Sequence, residues 1–224
     1  MYGNPSIVSD VMTHTVAAVG RQARFKEIVQ LMQDWRVSAL PVIEGEGRVV
    51  GVVSEADMLP KEEMRDNPDV AHLQLRQPVD VAKAEAATAG DLMSSPAVTV
   101  QANATLAEAA RVMARDGIKR LPVVDRVGLL EGIVSRADLL KVFLRDDEDI
   151  AEEVRREIVS PLFPPSSSAV QVEVHDGVAT LTGRTHDTAM VPVAARLVRA
   201  VEGVVDVQFD LAHDDRGVGE PGRP

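Results

Sequence analysis

The chain has 224 residues, of which 45% are hydrophobic, and this is enough apolar material to fill one large core or two small ones. A net charge of −11 excludes general attraction to nucleic acid or anionic lipid, and an aromatic content of 3% leaves little for base stacking. The lack of cysteine excludes disulfides, zinc–thiolate sites, iron–sulfur clusters and thiol catalysis.

A stretch of fifty residues is written twice, because residues 10–59 (copy one) and 91–140 (copy two) align without a gap at a constant offset of 81. The register is visible in Asp10/Asp91, Met12/Met93, Glu27/Glu108, Met32/Met113 and Leu40-Pro41-Val42/Leu121-Pro122-Val123. Solenoid repeats need three or more copies to bury a core, so a tandem pair must pack on itself. A ligand is expected to lie between the copies.

Each copy is predicted to fold as strand, helix, strand, strand, helix (βαββα). In copy one the last four elements are residues 25–35, 40–43, 49–53 and 54–59. In copy two, Val98 and Val100 mark the first strand, Thr105-Leu106-Ala107-Glu108 is a capping box, and Gly117 suits the end of the helix. Strands at 121–124 and 130–134 flank a turn at 125–128, and a helix carrying Leu139, Leu140, Val142, Phe143 and Leu144 follows Ser135.

The segment between the copies is polar at first, is interrupted by Pro68 and Pro78, and ends in an Ala-rich piece, 81–89, that is predicted to be a short helix. After copy two, Asp146-Asp147-Glu148-Asp149 is compatible with a metal cage or with the acidic start of a helix over 150–158. The absence of a Gly-turned calcium-loop spacing favours the helix.

The remaining residues predict a separate unit with the order αββαβ. After the helix at 150–158 come a hairpin turning at Asp176-Gly177, a helix at 187–201 ended by Gly203, and a strand whose Val205, Val207, Phe209 and Leu211 alternate. Residues 214–224 are Gly, Pro and charge, and are expected to form a mobile tail. The predicted boundaries are copy one at 7–66, a linker at 67–88, copy two at 89–148, the third unit at 149–213 and the tail at 214–224.

Conventional catalytic motifs are missing from the sequence. It has no HExxH and no phosphate-binding GxxxxGK[ST] motif. His175, His186 and His213 each precede an Asp near a predicted turn or element end, where a solvated polar residue is expected. A literal GxGxxG at 217–222 follows no strand and is a chance match. The chain is therefore predicted not to be an enzyme.

The most specific signal is a duplicated G-h-h-S-x-x-D motif, with h apolar, at residues 51–57 and 132–138. Its structural interpretation is a Gly that permits close backbone packing and a Ser-Asp pair that caps a helix. Its functional interpretation uses the same geometry, because free N–H groups and a hydroxyl suit phosphate, and a carboxylate one turn inside accepts both hydroxyls of a ribose.

At these residues the chain resembles the cystathionine-β-synthase-type (CBS) domain family, and the pair of copies is similar to its two-repeat Bateman module. The resemblance implies an α+β fold with two clefts that bind an adenosine-containing ligand, namely AMP, ADP, ATP or S-adenosylmethionine, with no other cofactor. Asp57 and Asp138 would hold ribose, and Ser54 and Ser135 would contact ribose or phosphate. The backbones of Ala39-Leu40-Pro41 and Arg120-Leu121-Pro122 would frame the base, with Val16 and Ala97 on its face.

The third unit is similar to the BON domain family through its αββαβ order, its Val174-His175-Asp176-Gly177-Val178 hairpin, Leu181-Thr182-Gly183, and the run from Val201 to Val207. The resemblance implies phospholipid or envelope binding. Residues 150–215, however, contain eleven Asp and Glu against five Arg, a net charge of −6 that anionic headgroups repel. We therefore expect this unit to dock on a protein partner, or on the CBS pair itself, and not on a bilayer.

These observations predict a regulatory sensor of adenine nucleotides whose BON-like unit signals to a partner along a helix within 137–158. The alternative is a stress-related structural or envelope-docking adaptor whose CBS pair serves only for dimerisation. With no leader pattern and no long apolar stretch, the expected location is cytoplasmic. A homodimer is expected, with Met12 and Met93 supplying self-complementary surface, and no nucleic-acid partner.

The two clefts are not expected to be equal. Copy two carries Lys119 and Arg120 before its L-P-V strand and Arg136 inside its motif, where copy one carries Ser38, Ala39 and Glu55. Cationic groups favour polyphosphate and Glu55 opposes it. The Asp138 cleft is therefore predicted to bind ATP or ADP more tightly, unless the basic side chains reach across to the other cleft.

Overall fold

The structure is a computed structural model that describes residues 6–66, 82–83, 85–164 and 168–213. It has two compact units: one is Ile7–Leu139, and the other comprises the chain from Leu140 onward together with the segment that ends at Ser6. The predicted tail at 214–224 and most of the predicted linker at 67–88 lie outside the described residues. No helix in the described parts of the chain is long and apolar enough to cross a membrane.

Both copies fold with the same topology. Copy one consists of α1 (Val8–Val11), β1 (Val19–Gly20), α2 (Phe25–Trp35), β2 (Ala39–Glu44), β3 (Arg48–Ser54) and α3 (Glu55–Asp66). Copy two consists of α4 (Ala89–Leu92), β4 (Val100–Gln101), α5 (Leu106–Arg115), β5 (Arg120–Val124), β6 (Leu130–Ser135) and α6 (Arg136–Leu139). In each sheet the short first strand runs parallel to the second, and the second pairs antiparallel with the third.

The predicted βαββα order is confirmed, and its local signals act as expected. Thr105 caps α5 through a hydrogen bond from the Glu108 N–H, and the Glu108 carboxylate accepts from the Thr105 N–H at 2.9 Å. Gly117 follows α5 with a φ of +67°, a conformation that suits glycine. The helices α1 and α4, which open the two copies, were not predicted because each is only four residues long.

The opening helices are exchanged between the copies. Ala89 and Leu92 of α4 are fully buried in the core of copy one, beside Ile28, Leu40 and Val53. Reciprocally, the Val8 N–H of α1 donates to the Ala104 carbonyl of copy two at 2.8 Å. The predicted packing of the copies on each other is therefore confirmed, and each copy completes the other.

The glycine of the G-h-h-S-x-x-D motif serves this packing in both copies. Met93 lies on Gly51, and the Ser94 carbonyl is 3.0 Å from where a Cβ of residue 51 would lie. Met12 lies on Gly132 in the same way, with the Thr13 carbonyl at 3.0 Å. Met12 and Met93, which were predicted to supply a dimer surface, thus pack within the chain, and the close-packing interpretation of the two glycines holds.

The second unit has the predicted αββαβ order. Its elements are the 3₁₀ helix Leu140–Leu144, α7 (Asp147–Val154), a π-helical turn (Arg155–Val159), α8 (Ser160–Leu162), β7 (Ser168–His175), β8 (Val178–Thr185), the 3₁₀ turn Thr188–Met190, α9 (Val191–Val198) and β9 (Asp206–His213). The sheet order is β7-β8-β9, with β8 parallel to β9. Asp176 and Gly177 both have positive φ, as a tight hairpin turn requires.

Three helix predictions are wrong in detail. The helix predicted to follow Ser135 is shorter than expected, because α6 has four residues and its predicted apolar residues from Leu140 to Leu144 lie in a 3₁₀ segment, while the helix predicted at 150–158 begins earlier, at Asp147. Between the 3₁₀ segment and α7, Arg145 donates to the Glu153 carboxylate at 2.8 Å and to the Glu202 carbonyl at 2.8 Å. The helix expected at 187–201 is shorter, because a 3₁₀ turn precedes α9 and Pro192 occupies its start.

Candidate functional site

The first copy of the motif forms a compact turn at the junction of β3 and α3. The Ser54 N–H and the Ser54 hydroxyl both donate to Oδ2 of Asp57, at 2.8 and 2.7 Å. Asp57 lies in the first turn of α3 and is buried, with 9% of its surface exposed. A buried carboxylate must be satisfied by hydrogen bonds or by charge, and here one of its oxygens is already fully used.

The second copy builds the same turn at the junction of β6 and α6. The Ser135 N–H and hydroxyl donate to Oδ2 of Asp138 at 2.9 and 2.6 Å, and the Asp138 N–H approaches the hydroxyl at 3.3 Å. Asp138 is half-buried, whereas Asp57 is buried. The two motifs thus share their internal bonds and differ in exposure.

Strand pairing brings the L-P-V segments to these turns. Ala39 pairs with Ser54, and Arg120 pairs with Ser135, in the antiparallel registers of the two sheets. The helix starts are tied to the same place, because the Glu55 N–H donates to the Ser38 carbonyl and the Arg136 N–H donates to the Lys119 carbonyl, both at 3.1 Å. Each turn therefore stands beside the start of its own L-P-V strand.

The other predicted site residues surround these turns with different exposure. Leu40, Pro41, Leu121 and Pro122 are buried, so only their backbones could face a ligand. Val16 and Ala97 are half-buried in the segments that precede β1 and β4. Their roles at a ligand stay predictions.

The basic residues of copy two are used in different ways. The Arg136 guanidinium donates from Nε to the Ile118 carbonyl at 3.0 Å and approaches the Met113 carbonyl at 3.5 Å, so it binds carbonyls in the last turn of α5 and just after it. Lys119 is exposed. Arg120 Nη1 is buried without a hydrogen-bond partner, the one such side-chain atom among the residues that the structure describes. Of the three, Arg120 has a guanidinium nitrogen ready for an anion.

Arg120 also reaches across to copy one. It lines a cavity of about 470 Å³ whose other walls are the end of α2 and one face of α3, including Arg36, Ser38, Glu55 and Met58. Residues 55, 58, 59 and 62 form that face of α3. Asp57 does not line the cavity, since at helical spacing it lies on the opposite face, which also carries Lys61.

Asp57 has a partner that the sequence did not indicate. Lys83, from the segment between the copies, forms a hydrogen-bonded ion pair with Oδ1 of Asp57. The side chains of Lys83 and Asp57 are only 15% and 11% exposed. Lys83 belongs to no motif; the one available signal was that a buried carboxylate needs a counter-ion, and segment 67–88 offers two basic residues, Arg76 and Lys83.

The remaining sequence candidates have structural or solvated positions. In the acidic run, Asp147 begins α7 and accepts hydrogen bonds from the Asp176 and Gly177 N–H groups at 2.8 and 2.9 Å, so it fixes the hairpin turn. His175 is 93% exposed, and His186 and His213 are also exposed. Among the described residues no group of three His, Cys, Asp or Glu is arranged to hold a metal ion.

Comparison with known proteins agrees with this architecture. The family model of the CBS domain matches residues 8–61 and 89–145, and that of the BON domain matches residues 146–212. YhcV of Bacillus subtilis, a CBS domain-containing protein, is 31% identical over 134 residues, which cover 60% of this chain and 83% of YhcV. The chain belongs to the CBS-domain family. A BON domain follows its CBS pair.

Relatives of the CBS pair occur in archaea and plants. An uncharacterized protein of Methanocaldococcus jannaschii, MJ1426, is 28% identical over 160 residues, covering 63% of this chain and 94% of the relative. Several other relatives are longer, and the chain spans only 31% to 63% of them. The crystal structure of CBSX2 in complex with AMP is similar, with a TM-score of 0.54 and 29% identity over 62% of this chain and 96% of that one; CBSX2 is a chloroplast protein of Arabidopsis thaliana.

Proposed function

We propose that this protein is a regulatory sensor that binds adenosine ligands through its CBS pair and transmits their presence to a partner through its BON domain. The ligand class is AMP, ADP, ATP or S-adenosylmethionine. Asp57 and Asp138 hold the ribose, Ser54 and Ser135 contact ribose or phosphate, and the L-P-V backbones border the base.

The observation that carries the proposal is the twice-built Ser-x-x-Asp turn, with hydrogen bonds of 2.6 to 2.9 Å onto one carboxylate oxygen in each copy. These bonds fix the carboxylate at a helix start, where hydroxyl groups of a sugar can be accepted and a phosphate meets N–H groups. Similarity to CBSX2, solved with AMP, supports the same ligand class.

A thermal-shift panel tests the proposal. A ligand that binds only the folded protein, at about a hundred times its Kd, adds about 2.7 kcal/mol to the free energy of unfolding. Millimolar AMP, ADP, ATP or S-adenosylmethionine should therefore raise the melting temperature, and Asp57→Asn combined with Asp138→Asn should abolish the rise. No shift with any member of the panel would favour the adaptor alternative, in which the CBS pair serves dimerisation alone.

We further propose that the Asp138 site is the stronger one for ADP and ATP. Lys119 is exposed in copy two, and Asp138 is less deeply buried than Asp57. Arg136 does not contribute to this difference, because its guanidinium binds backbone carbonyls, and Arg120 lines a cavity formed mainly by copy one. Calorimetry in which Asp57→Ala costs more ATP affinity than Asp138→Ala would overturn this ranking.

A further inference from the structure

Asp57 and Lys83 stand out because Asp57 is one of two polar residues, with Thr185, that are buried in the described part of the chain. Ser54 supplies both donors to its Oδ2, and Lys83 supplies an ammonium donor to its Oδ1. A carboxylate offers about four lone-pair positions, so three of them are occupied before any ligand arrives. Two hydroxyls of a ribose could not both be accepted while Lys83 stays in place.

The Lys83 ammonium is held beside Asp57 because the backbone around Lys83 is anchored to copy one. We call Ala82, Lys83 and Glu85–Thr88 the Lys83 segment. The Ala86 N–H donates to the Lys83 carbonyl at 3.2 Å, and Lys61 of α3 donates to the Ala86 carbonyl at 2.9 Å. Ala86 is itself buried in the core of copy one.

Further bonds tie the segment to the start of α2. The Phe25 N–H donates to the Ala87 carbonyl at 3.1 Å, and the Lys61 ammonium lies 5.4 Å from the centre of the Phe25 ring. The Lys83 segment therefore lies along copy one at the face of α3 that carries Asp57, and Lys83 is delivered to the carboxylate by an anchored backbone.

We propose that Lys83 is a resident counter-ion of the Asp57 site, which the ribose of an adenosine ligand must displace, so that Lys83 sets the affinity of this site. The inference rests on the proposed function and adds a residue outside the duplicated motif. The sequence does not repeat this lysine at the corresponding position, since at the offset of 81 the residue that corresponds to Lys83 is Tyr2.

The test is a calorimetric titration of the full chain with adenosine, a neutral probe that avoids any attraction between lysine and phosphate. Asp138→Asn is present throughout, so the Asp57 site is measured alone. Adding Lys83→Met should raise adenosine affinity about tenfold, since one competing charge-assisted hydrogen bond is removed. Lys83→Gln, which keeps a neutral donor and is the second choice if Lys83→Met does not fold, should raise it less. Lys26→Met makes the same charge change at an exposed position of α2 and should leave the affinity unchanged.

The increase in adenosine affinity caused by Lys83→Met must also vanish when Asp57→Asn is added. An affinity that Lys83→Met leaves unchanged, or lowers, would overturn the inference while leaving the proposed function standing. Absence of adenosine and AMP binding by the wild-type chain and by every variant would overturn both together.

Discussion

At the scale of single residues, the two motif glycines explain why the copies fit. Gly51 and Gly132 each face a methionine and a backbone carbonyl of the other copy, and the side chains Met93 and Met12 fill the space that a Cβ would need. The carbonyls of Ser94 and Thr13 cannot move freely, because Ser94 is hydrogen-bonded to Val52, and Thr13 to Ile133.

We therefore expect Gly51→Ala and Gly132→Ala each to lower the free energy of unfolding by about 1–3 kcal/mol, the usual cost of overpacking. Denaturant unfolding of the full chain measures this loss in the free energy of unfolding. Met93→Ala combined with Gly51→Ala should recover part of the loss. Gly20→Ala is the control, because no atom beyond its chain neighbours lies within 4 Å of where a Cβ at residue 20 would stand. Equal stability of Gly51→Ala and Gly20→Ala would contradict the packing account.

The ion pair of Lys83 and Asp57 is a feature that the sequence did not predict. The repeat, the strands and the Ser-x-x-Asp turns could be predicted, because each depends on residues that are close in sequence or on a pattern repeated at a fixed offset. Lys83 could not, because its contact depends on how the segment between the copies lies along copy one. The bonding of Arg136 to carbonyls at the end of α5 and just after it was missed for the same reason.

At the scale of elements, helix caps were predictable and packing partners were not. The Thr105 capping box read from the sequence is present with both of its hydrogen bonds. The exchange of α1 and α4 was missed, since a four-residue helix has no periodicity that would reveal which core it joins. The short length of α6 was not predicted, and the bonds that Arg145 makes to Glu153 and to Glu202, which span up to 57 residues, leave no local signal in the sequence.

The α5 cap predicts a measurable pH effect. Hydrogen bonds from the Thr105 N–H, and then from its hydroxyl, hold the pKa of Glu108 below its ordinary value of 4.5. A carboxyl group whose pKa is lowered by folding stabilises the folded protein at pH values above the pKa that the group has in the unfolded chain. That stabilisation is lost as the pH falls through the pKa that the group has in the folded protein. The cap should therefore weaken as the pH falls below about 4.5. Carboxyl NMR should show Glu108 titrating below 4.5, with Thr105→Ala moving it upward; titration at or above 4.5 in the wild-type protein would contradict the cap.

At the scale of the whole molecule, charge sets what the BON domain can bind. Its net charge of −6 over residues 150–215 opposes anionic headgroups, and each absent basic contact forgoes about 1 kcal/mol of membrane attraction. We expect the full chain to stay in the supernatant when it is sedimented with anionic vesicles at physiological salt. Clear pelleting with the vesicles would restore a lipid-binding role for this domain.

Self-association is the second prediction at this scale. Leu59 is 57% exposed and lines the same cavity as Arg120, next to the apolar side chains Val29, Met32 and Met58. Light scattering at tens of micromolar should give twice the mass of one chain, and Leu59→Glu should shift it toward the monomer. Val127→Glu is a matched control, because Val127 is also 57% exposed but lies in a charged turn. A monomeric wild-type protein would rule out the predicted dimer.

Binding of an adenosine ligand by the two Ser-x-x-Asp turns is the basis of the proposed function. Its most direct test is calorimetric titration of the full chain with AMP, in the wild-type protein, in Asp57→Asn, in Asp138→Asn and in the double variant. We expect saturable binding by the wild-type protein, a larger loss from Asp138→Asn than from Asp57→Asn, and no binding by the double variant. AMP binding that survives in the folded double variant, or its absence from the wild-type protein, would contradict the claim.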